Sequence, residues 1–286
     1  MNPRFDNIEP TVVEWFEEST EEQRVKRAIK LLQDNEPPEG YYLAYSGGKD
    51  STVIKELAKL SGVKYESYFN NTTIDAPEVI YFIRKYHPDV KWNNPKENLF
   101  HAVANLPKMP PSRQFRWCCE RYKEIRGKGR VKIFGVRAQE SLRRARRWKE
   151  ITTDNYNGVA ICPIVYWSDD HVWQFIKGRN IPYCSLYDEG FTRIGCVGCP
   201  LASPDQQQKE FKRWPRYEQG WRRAVERNWE KYHALPRRDG KDRFQSKFPT
   251  AEAMWRFWIQ DKRRDMYREG CQMSLLWTNE PDDEKE

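Results

Sequence analysis

Two stretches of this sequence hold side chains whose types and spacing could do chemistry. The first, Tyr45-Ser46-Gly47-Gly48-Lys49-Asp50-Ser51-Thr52, offers backbone amides at two adjacent glycines, an ammonium, a carboxylate and the hydroxyls of Ser46, Ser51 and Thr52. Such a set can wrap a phosphate chain. It is not a Walker-type loop, which needs Gly, four residues and then Gly-Lys-Ser/Thr. Leu43 stands at the first glycine position, and Asp50 separates Lys49 from Ser51. The second stretch is a sulfur set: Cys118 and Cys119 are adjacent, 76 residues intervene, and Cys196-Val197-Gly198-Cys199 follows. Four thiolates in two close pairs can surround one metal centre, a tetrahedral zinc or an iron-sulfur cluster. Unligated core thiols are the third reading, and a directly adjacent pair is unusual for structural zinc.

The elements that must position these residues alternate between strand and helix. Thr20 and Gln23 are spaced as a capping box for a helix that stops before Pro37-Pro38-Glu39-Gly40. Tyr41 to Tyr45 is a short apolar strand running into the glycine pair. Lys49 to Leu60 puts Val53, Leu57 and Leu60 on one helical face. Val63 to Asn70 alternates like a strand and leads to a helix over APEVIYFIRKYH. VKIFGV (131–136) and GVAICPIVYW (158–167) read as further buried strands, the second followed by a helix over SDDHVWQFIKGRN. This order predicts an α/β fold with a parallel sheet and right-handed crossovers. Ser46-Gly47-Gly48 then falls at the carboxyl end of a strand, where open α/β sheets bind ligands; an ordinary glycine-rich turn is the bland alternative. Arg137 ends a predicted strand and points the same way, with a guanidinium suited to phosphate. Arg144 sits among Arg143, Arg146, Arg147 and Lys149, where a solvated basic helix face competes with a binding role.

Charge is unevenly spread along the 286 residues. From Lys209 to Gly270 there are 18 Lys/Arg against 10 Asp/Glu, and the rest of the chain has 32 of each, so this stretch carries the whole net charge of +8. It also holds Trp214, Trp221, Trp229, Trp255 and Trp258. A basic, aromatic region suits an anionic partner, nucleic acid first, although the near-helical spacing of the rings equally describes a helical core. The reading divides the chain into an N-terminal helical segment (1–38), an α/β domain (39–204), a basic aromatic helical region (205–275) and a disordered acidic tail (276–286). No run approaches the roughly 20 apolar residues that cross a bilayer, and the N-terminus lacks a signal-peptide pattern, so no membrane partner and a cytoplasmic location with reduced thiols are expected. Cys162 and Cys184 read as packed thiols, His171 and His233 as structural, and Asp169-Asp170 as charge at a helix N-terminus.

SGGKDS resembles the pyrophosphate loop of the N-type ATP pyrophosphatases, the PP-loop superfamily. Over roughly residues 40 to 203 the chain resembles the phosphoadenosine phosphosulfate (PAPS) reductase family within it. The likeness lies in the loop, FNNTTIDAPE, GVRAQESLRR and the run from PIVYWSDDHVW to IPYCSLYDEGFTRIGCVGCP. It implies a Rossmann-like, adenine nucleotide alpha hydrolase-like parallel sheet flanked by helices, here with a helical basic C-terminal extension. It implies that Ser46, Gly47, Gly48, Lys49, Asp50 and Ser51 hold the phosphates of an adenine nucleotide, that Arg137 and Arg144 add charge, and that Asn70 to Thr72 border the adenosine. The paired cysteines resemble the 4Fe-4S site of the family's adenylylsulfate reductases, which makes Cys118, Cys119, Cys196 and Cys199 ligands. Lys123 stands at the offset where those proteins carry a lysine, and with Arg116 and Arg121 it would balance the cluster's charge.

The likeness breaks in two places. Those reductases end in a Glu-Cys-Gly-Leu/Ile-His tail, whereas this chain reads Glu269-Gly270-Cys271-Gln272 without the histidine. An intact SGGKDS, moreover, resembles members that cleave ATP. The expected function is therefore an AMP-forming enzyme using ATP, Mg²⁺ and a 4Fe-4S cluster, with Lys49, Asp50 and Lys123 catalytic. Its acceptor, DNA or tRNA, would be adenylylated for sulfur transfer, with a sulfur-donor or electron-donor protein as partner. A PAPS or adenylylsulfate reductase releasing sulfite, and a non-enzymatic cluster-bearing subunit that binds nucleic acid, are the alternatives. The oligomeric state is open, a dimer included.

Overall fold

The computed structural model describes residues 10–154, 158–237 and 239–259, divided between an α/β unit (to Asn98, and Trp117–Cys196) and a helical unit (Leu99–Arg116, and from Val197 onward). In the α/β unit, α1 (Pro10–Glu18) and α2 (Glu21–Asp34) precede β1 (Tyr41–Tyr45) and α3 (Lys49–Ser61). β2 (Tyr65–Asn70), α4 (Pro77–Tyr86) and β3 (Lys91–Asn93) follow. After α5 (Leu99–Asn105), which belongs to the helical unit, α6 (Trp117–Cys119) runs into a π-helical turn at Glu120–Glu124. β4 (Lys132–Ile133), α7 (Leu142–Arg147), β5 (Ile151–Thr153), β6 (Val159–Ile161) and α8 (Asp169–Gly178) complete the unit. The capping box forms as the sequence predicts: Thr20 N donates to Gln23 Oε1 at 2.8 Å while Gln23 N donates to Thr20 Oγ1.

The six strands lie in the order β3-β2-β1-β4-β6-β5. Neighbours from β3 to β6 are parallel, with Tyr41 opposite Tyr65 and Tyr42 opposite Lys132. The expectation of a parallel sheet holds for this body and fails at one edge, where β5 runs antiparallel to β6. Three residues are too few for an alternating pattern to announce a strand. The predicted strand over 158–167 is also shorter, ending at Ile161, because Pro163 has no N–H to give a ladder. Leu32, Leu43, Ile54, Leu57, Ile83, Ile161, Trp167 and Phe175 are fully buried and form the core. The central strand is therefore clamped on both faces, which fixes where its carboxyl end opens.

The helical unit combines α5 with α9 (Pro204–Arg213), α10 (Pro215–Tyr232) and α11 (Ala251–Ile259). Trp221, which is 0% exposed, packs edge-on to Phe100 and stacks on Trp258 with centroids 4.6 Å apart. Asn228 ties α10 to the end of α5 by donating to the carbonyls of Val103 (2.7 Å) and Leu106 (2.9 Å). Trp214, Trp255 and Trp258 are buried as well, and Trp229 is half-buried. Four of the five rings thus form the helical core that their spacing suggests. No described helix is long and apolar enough to cross a membrane.

Candidate functional site

Local chemistry dictates the shape of the loop between β1 and α3. Gly47 has φ +75°, a left-handed conformation, and a Cβ there would lie 2.8 Å from Val79 Cγ1 of α4. Ser51, one turn into α3, donates its hydroxyl to Gly48 O at 2.8 Å and accepts from Ser46 N at 3.2 Å. Thr52 Oγ1 donates to the same carbonyl. Lys49 N donates to Tyr187 Oη at 2.9 Å. The loop is therefore braced from within while its amides stay at the positive end of a 13-residue helix.

Two cations and two carboxylates converge there. Lys49 is buried, with Nζ 3.0 Å from Asp169 Oδ1 and 3.7 Å from Asp50 Oδ2. Arg137, also buried, donates from Nε to Asp50 Oδ1 (2.5 Å), from Nη2 to Asp169 Oδ1 (2.8 Å) and from Nη1 to Gln139 Oε1 (3.2 Å). Asp169 N donates to Gln139 Oε1 at 2.7 Å, fixing the start of α8 in this corner. The approach of the Arg137 segment to α3 depends on Gly135, where a Cβ would sit 2.9 Å from the Asp50 carbonyl. Burial pushes the Asp50 carboxyl above its usual pKa against the pull of Arg137 and Lys49, whereas Asp50, Asp169 and Glu140 hold the Arg137 guanidinium above its own against the effect of burial.

The predicted phosphate-loop residues are thus brought together with Arg137. Arg144 is placed differently: its guanidinium pairs with Glu140, which also accepts from Arg137 N. Asn70 ends β2, where its Oδ1 accepts from Tyr42 Oη (3.0 Å) and Asn93 Nδ2 (2.8 Å) and its Nδ2 donates to Lys123 O (3.3 Å). Asp169, Tyr187 and Gln139 are the members sequence reading missed. Asp169 carried a usable signal, since it opens the helix after β6 and lies beyond the carboxyl end of that strand, as Arg137 does beyond β4.

Among the cysteines, Cys118 and Cys119 occupy α6 and are half-buried. Cys196 forms an antiparallel bridge with Asp75, and its Sγ is 3.3 Å from Thr72 Oγ1. Thr72 donates to Asp75 Oδ2 through both N (2.9 Å) and Oγ1 (2.7 Å). Burial would lower the Lys123 pKa, but Cys196, Asp75 and Cys119 outweigh it and hold the ammonium above the usual lysine range. Cys199, in the helical unit, is half-buried, and its carbonyl accepts from Ala202 N. Among the described residues no group of three or more His, Cys, Asp or Glu side chains is arranged to hold a metal ion. The donor chemistry fits an iron-sulfur cluster: soft sulfur ligands, with a hydroxyl and an ammonium beside Cys196 to offset thiolate charge. Cys162 and Cys184 are buried, and burial pushes their thiols up to about 12 and about 11, which leaves them protonated core groups. Cys271 lies outside the described residues.

A parallel sheet with a braced diglycine loop at the carboxyl end of its central strand defines an α/β nucleotide-binding fold. Residues 40–202, more than half of the chain, match the phosphoadenosine phosphosulfate reductase domain, and the chain belongs to that family. It is 30% identical over 206 residues to an uncharacterized protein of Methanocaldococcus jannaschii, covering 67% of this chain and 42% of that one. It is 27% identical over 134 residues to adenosine 5'-phosphosulfate reductase of Staphylococcus haemolyticus, covering 47% of this chain and 49% of that one. The chain therefore spans less than half the length of either relative. A crystal structure of phosphoadenylyl-sulfate reductase from Candida auris is similar with a TM-score of 0.47 and 17% identity, covering 66% of this chain and 96% of that one.

Proposed function

We propose that this chain is an AMP-forming enzyme that cleaves ATP and adenylylates an acceptor for sulfur transfer. The observation that carries the reading is the convergence of buried Lys49 and Arg137 on the braced loop at the N-terminus of α3. An acceptor oxygen attacks the α-phosphorus, the bond to the bridging oxygen breaks, and pyrophosphate departs into the loop. Lys49 and the Ser46–Ser51 amides and hydroxyls meet the charge that builds on that leaving group, a preorganised electrostatic role. Arg137 would add a second cation, Arg144, which pairs with Glu140, a further one, and Asn70 would border the adenosine. Asp50 and Asp169 offer the hard oxygen donors Mg²⁺ takes, and the ion, when bound, neutralises phosphate charge.

Cys118, Cys119, Cys196 and Cys199 would hold a 4Fe-4S cluster, which supplies electron or sulfur chemistry when bound. Lys123, whose charge is already favoured by Cys196 and Cys119, would balance it and draw in an anionic substrate. The acceptor is nucleic acid, engaged by the basic region 205–275, with a sulfur-donor or electron-donor protein as partner in the cytoplasm. A second reading, reduction of a phosphosulfate to sulfite, is supported by the activity for which the staphylococcal relative is named.

Anaerobically purified protein, given α-labelled ATP and nucleic acid, is expected to release pyrophosphate and place the label on the nucleic acid, to release labelled AMP once a sulfide source is added, and K49A to abolish all three. Sulfite from adenylylsulfate with intact ATP would move the assignment to reduction. If neither product forms while nucleic acid is bound, no enzyme is left. C119S and C196S are expected to lose iron and the cluster's visible absorption; full iron content in both would sink the cluster assignment.

A further inference from the structure

One row of arginines on α10 has no acidic partner among the described residues. Successive residues of a helix turn by about 100°, so Arg216, Arg223 and Arg227 fall in a stripe roughly 40° wide. All three are exposed, on the face away from the buried Trp221, Ala224, Val225, Asn228 and Tyr232. Arginines on the flank behave otherwise. Arg222 lies 2.8 Å from Glu226 and 2.5 Å from Glu252, and Arg256 lies 3.1 Å from Glu252. In the stripe, Arg223 Nε donates to the carbonyl of Gln219, a bond that leaves its charge uncompensated.

Such a row suits a ligand with repeated, regularly spaced anions. At a rise of about 1.5 Å per residue it runs some 16 Å, and a nucleic-acid duplex of B form presents a phosphate charge about every 1.7 Å of its axis. Proteins that grip single strands add aromatic faces on which bases stack. Trp214, Trp221, Trp255 and Trp258 are at most 8% exposed and cannot serve that mode, and the half-buried Trp229 is already stacked on His233 with centroids 3.9 Å apart. The exposed stripe itself therefore offers charge that can follow a backbone, with no ring among its residues to read or stack bases.

We propose that Arg216, Arg223 and Arg227 dock α10 on the phosphate backbone of double-helical nucleic acid, without sequence readout. The inference rests on the reading of nucleic acid as the acceptor and specifies its form. The test is fluorescence anisotropy of the whole chain against labelled mixed-sequence duplexes of about 20 base pairs, DNA and RNA, over a KCl series, with oligo-dT as the single-stranded arm. Both duplexes are expected to bind more tightly than oligo-dT, with log K falling linearly in log salt. R216A/R223A/R227A is expected to lower the DNA slope by about 2.7, at roughly 0.9 per phosphate contact, and to weaken binding at least tenfold near 0.1 M salt. R216K/R223K/R227K is expected to keep the slope, as is R222A/R256A, which removes the paired arginines. Circular dichroism melting confirms that each variant is folded. A parental slope in the folded alanine variant, no duplex binding at low salt, or tighter binding of oligo-dT would each overturn the proposal. Labelled-ATP cleavage is read separately, so failure of the adenylylation reading is distinguishable from failure of this one.

Discussion

Asp169→Asn separates the two jobs of the carboxylate that joins Lys49 and Arg137. Asp169 Oδ1 is 3.0 Å from Lys49 Nζ and 2.8 Å from Arg137 Nη2, so a bare phosphate must displace it from both cations. Two unit charges at 3 Å attract by about 1.4 kcal/mol in water and about 5.5 kcal/mol at an effective dielectric of 20. The Asp169 side chain is 48% exposed, which puts its contacts near the water limit, and together they hold the cations by about 2 kcal/mol after screening. Removing that competition should tighten ATP in EDTA by roughly tenfold to thirtyfold. With Mg²⁺ present the sign reverses, because the variant offers the metal a neutral amide oxygen in place of a charged carboxylate, and ATP cleavage falls. Isothermal titration in EDTA and in Mg²⁺ reads both effects. Loss of a negative charge in the first turn of α8 costs about 0.3–1 kcal/mol of stability, a small change in the melting temperature that serves as the folding control. An asparagine variant that binds metal-free ATP no better than the parent would refute the competition argument.

Three further outcomes follow from the geometry. Gly47→Ala forces a side chain into a φ of +75° and against Val79; about 1–2 kcal/mol of backbone strain and 1–3 of overpacking predict a loss of roughly 2–5 kcal/mol by urea unfolding, with nucleotide binding lost as well. Lys132→Met removes the ammonium 2.6 Å from Asp154, which is 9% exposed, and breaking that buried pair costs about 3–5 kcal/mol; an unchanged urea midpoint would show that the pair does not support the β4 region. His87 is pushed from 6.5 to about 4 by burial, with Lys55 at 3.2 Å adding to the effect. The unfolded chain then takes up the proton first as the pH falls, so stability is lost between pH 6.5 and 4, by about 2 kcal/mol from this group at pH 5. His87→Gln should flatten that part of the pH dependence of the urea midpoint, and an equal acid loss in the variant would remove His87 as its source.

β1 and α3 were legible because short-range rules coincide there: an apolar run, two glycines and a helical apolar face follow one another within 20 residues, and the strand forms at Tyr41–Tyr45 as read. Arg137 was legible from its place after a strand. Asp169 has the same topological signal, its place beyond β6, but its partner Lys49 is 120 residues away and the residues of SDDHVW alone describe a capping charge as well as a counterion. The same limit applied to the tryptophans. Their spacing describes a helical core and composition an anionic partner, and only packing against Phe100 and Trp258 shows which faces are covered. Composition located the charge surplus but could not say which arginines were already paired; on α10 that distinction separates Arg222 from Arg223, adjacent in sequence and opposite in role.

The pairing of Lys49 and Arg137 with Asp50 and Asp169 bears on which nucleotide form the proposed enzyme would accept. Two cations this deeply buried cannot stand alone, because desolvation and mutual repulsion would drive the loop open; the carboxylates neutralise them until substrate arrives. A bare anion entering this site gains two cations but strands two carboxylates. A nucleotide that arrives with Mg²⁺ exchanges every partner at once, phosphate oxygens to Lys49 and Arg137, and metal to Asp50 and Asp169. In the proposed enzyme this network would discriminate against free phosphate and pyrophosphate without any steric filter, since only a ligand carrying both signs of charge would repair what it disrupts.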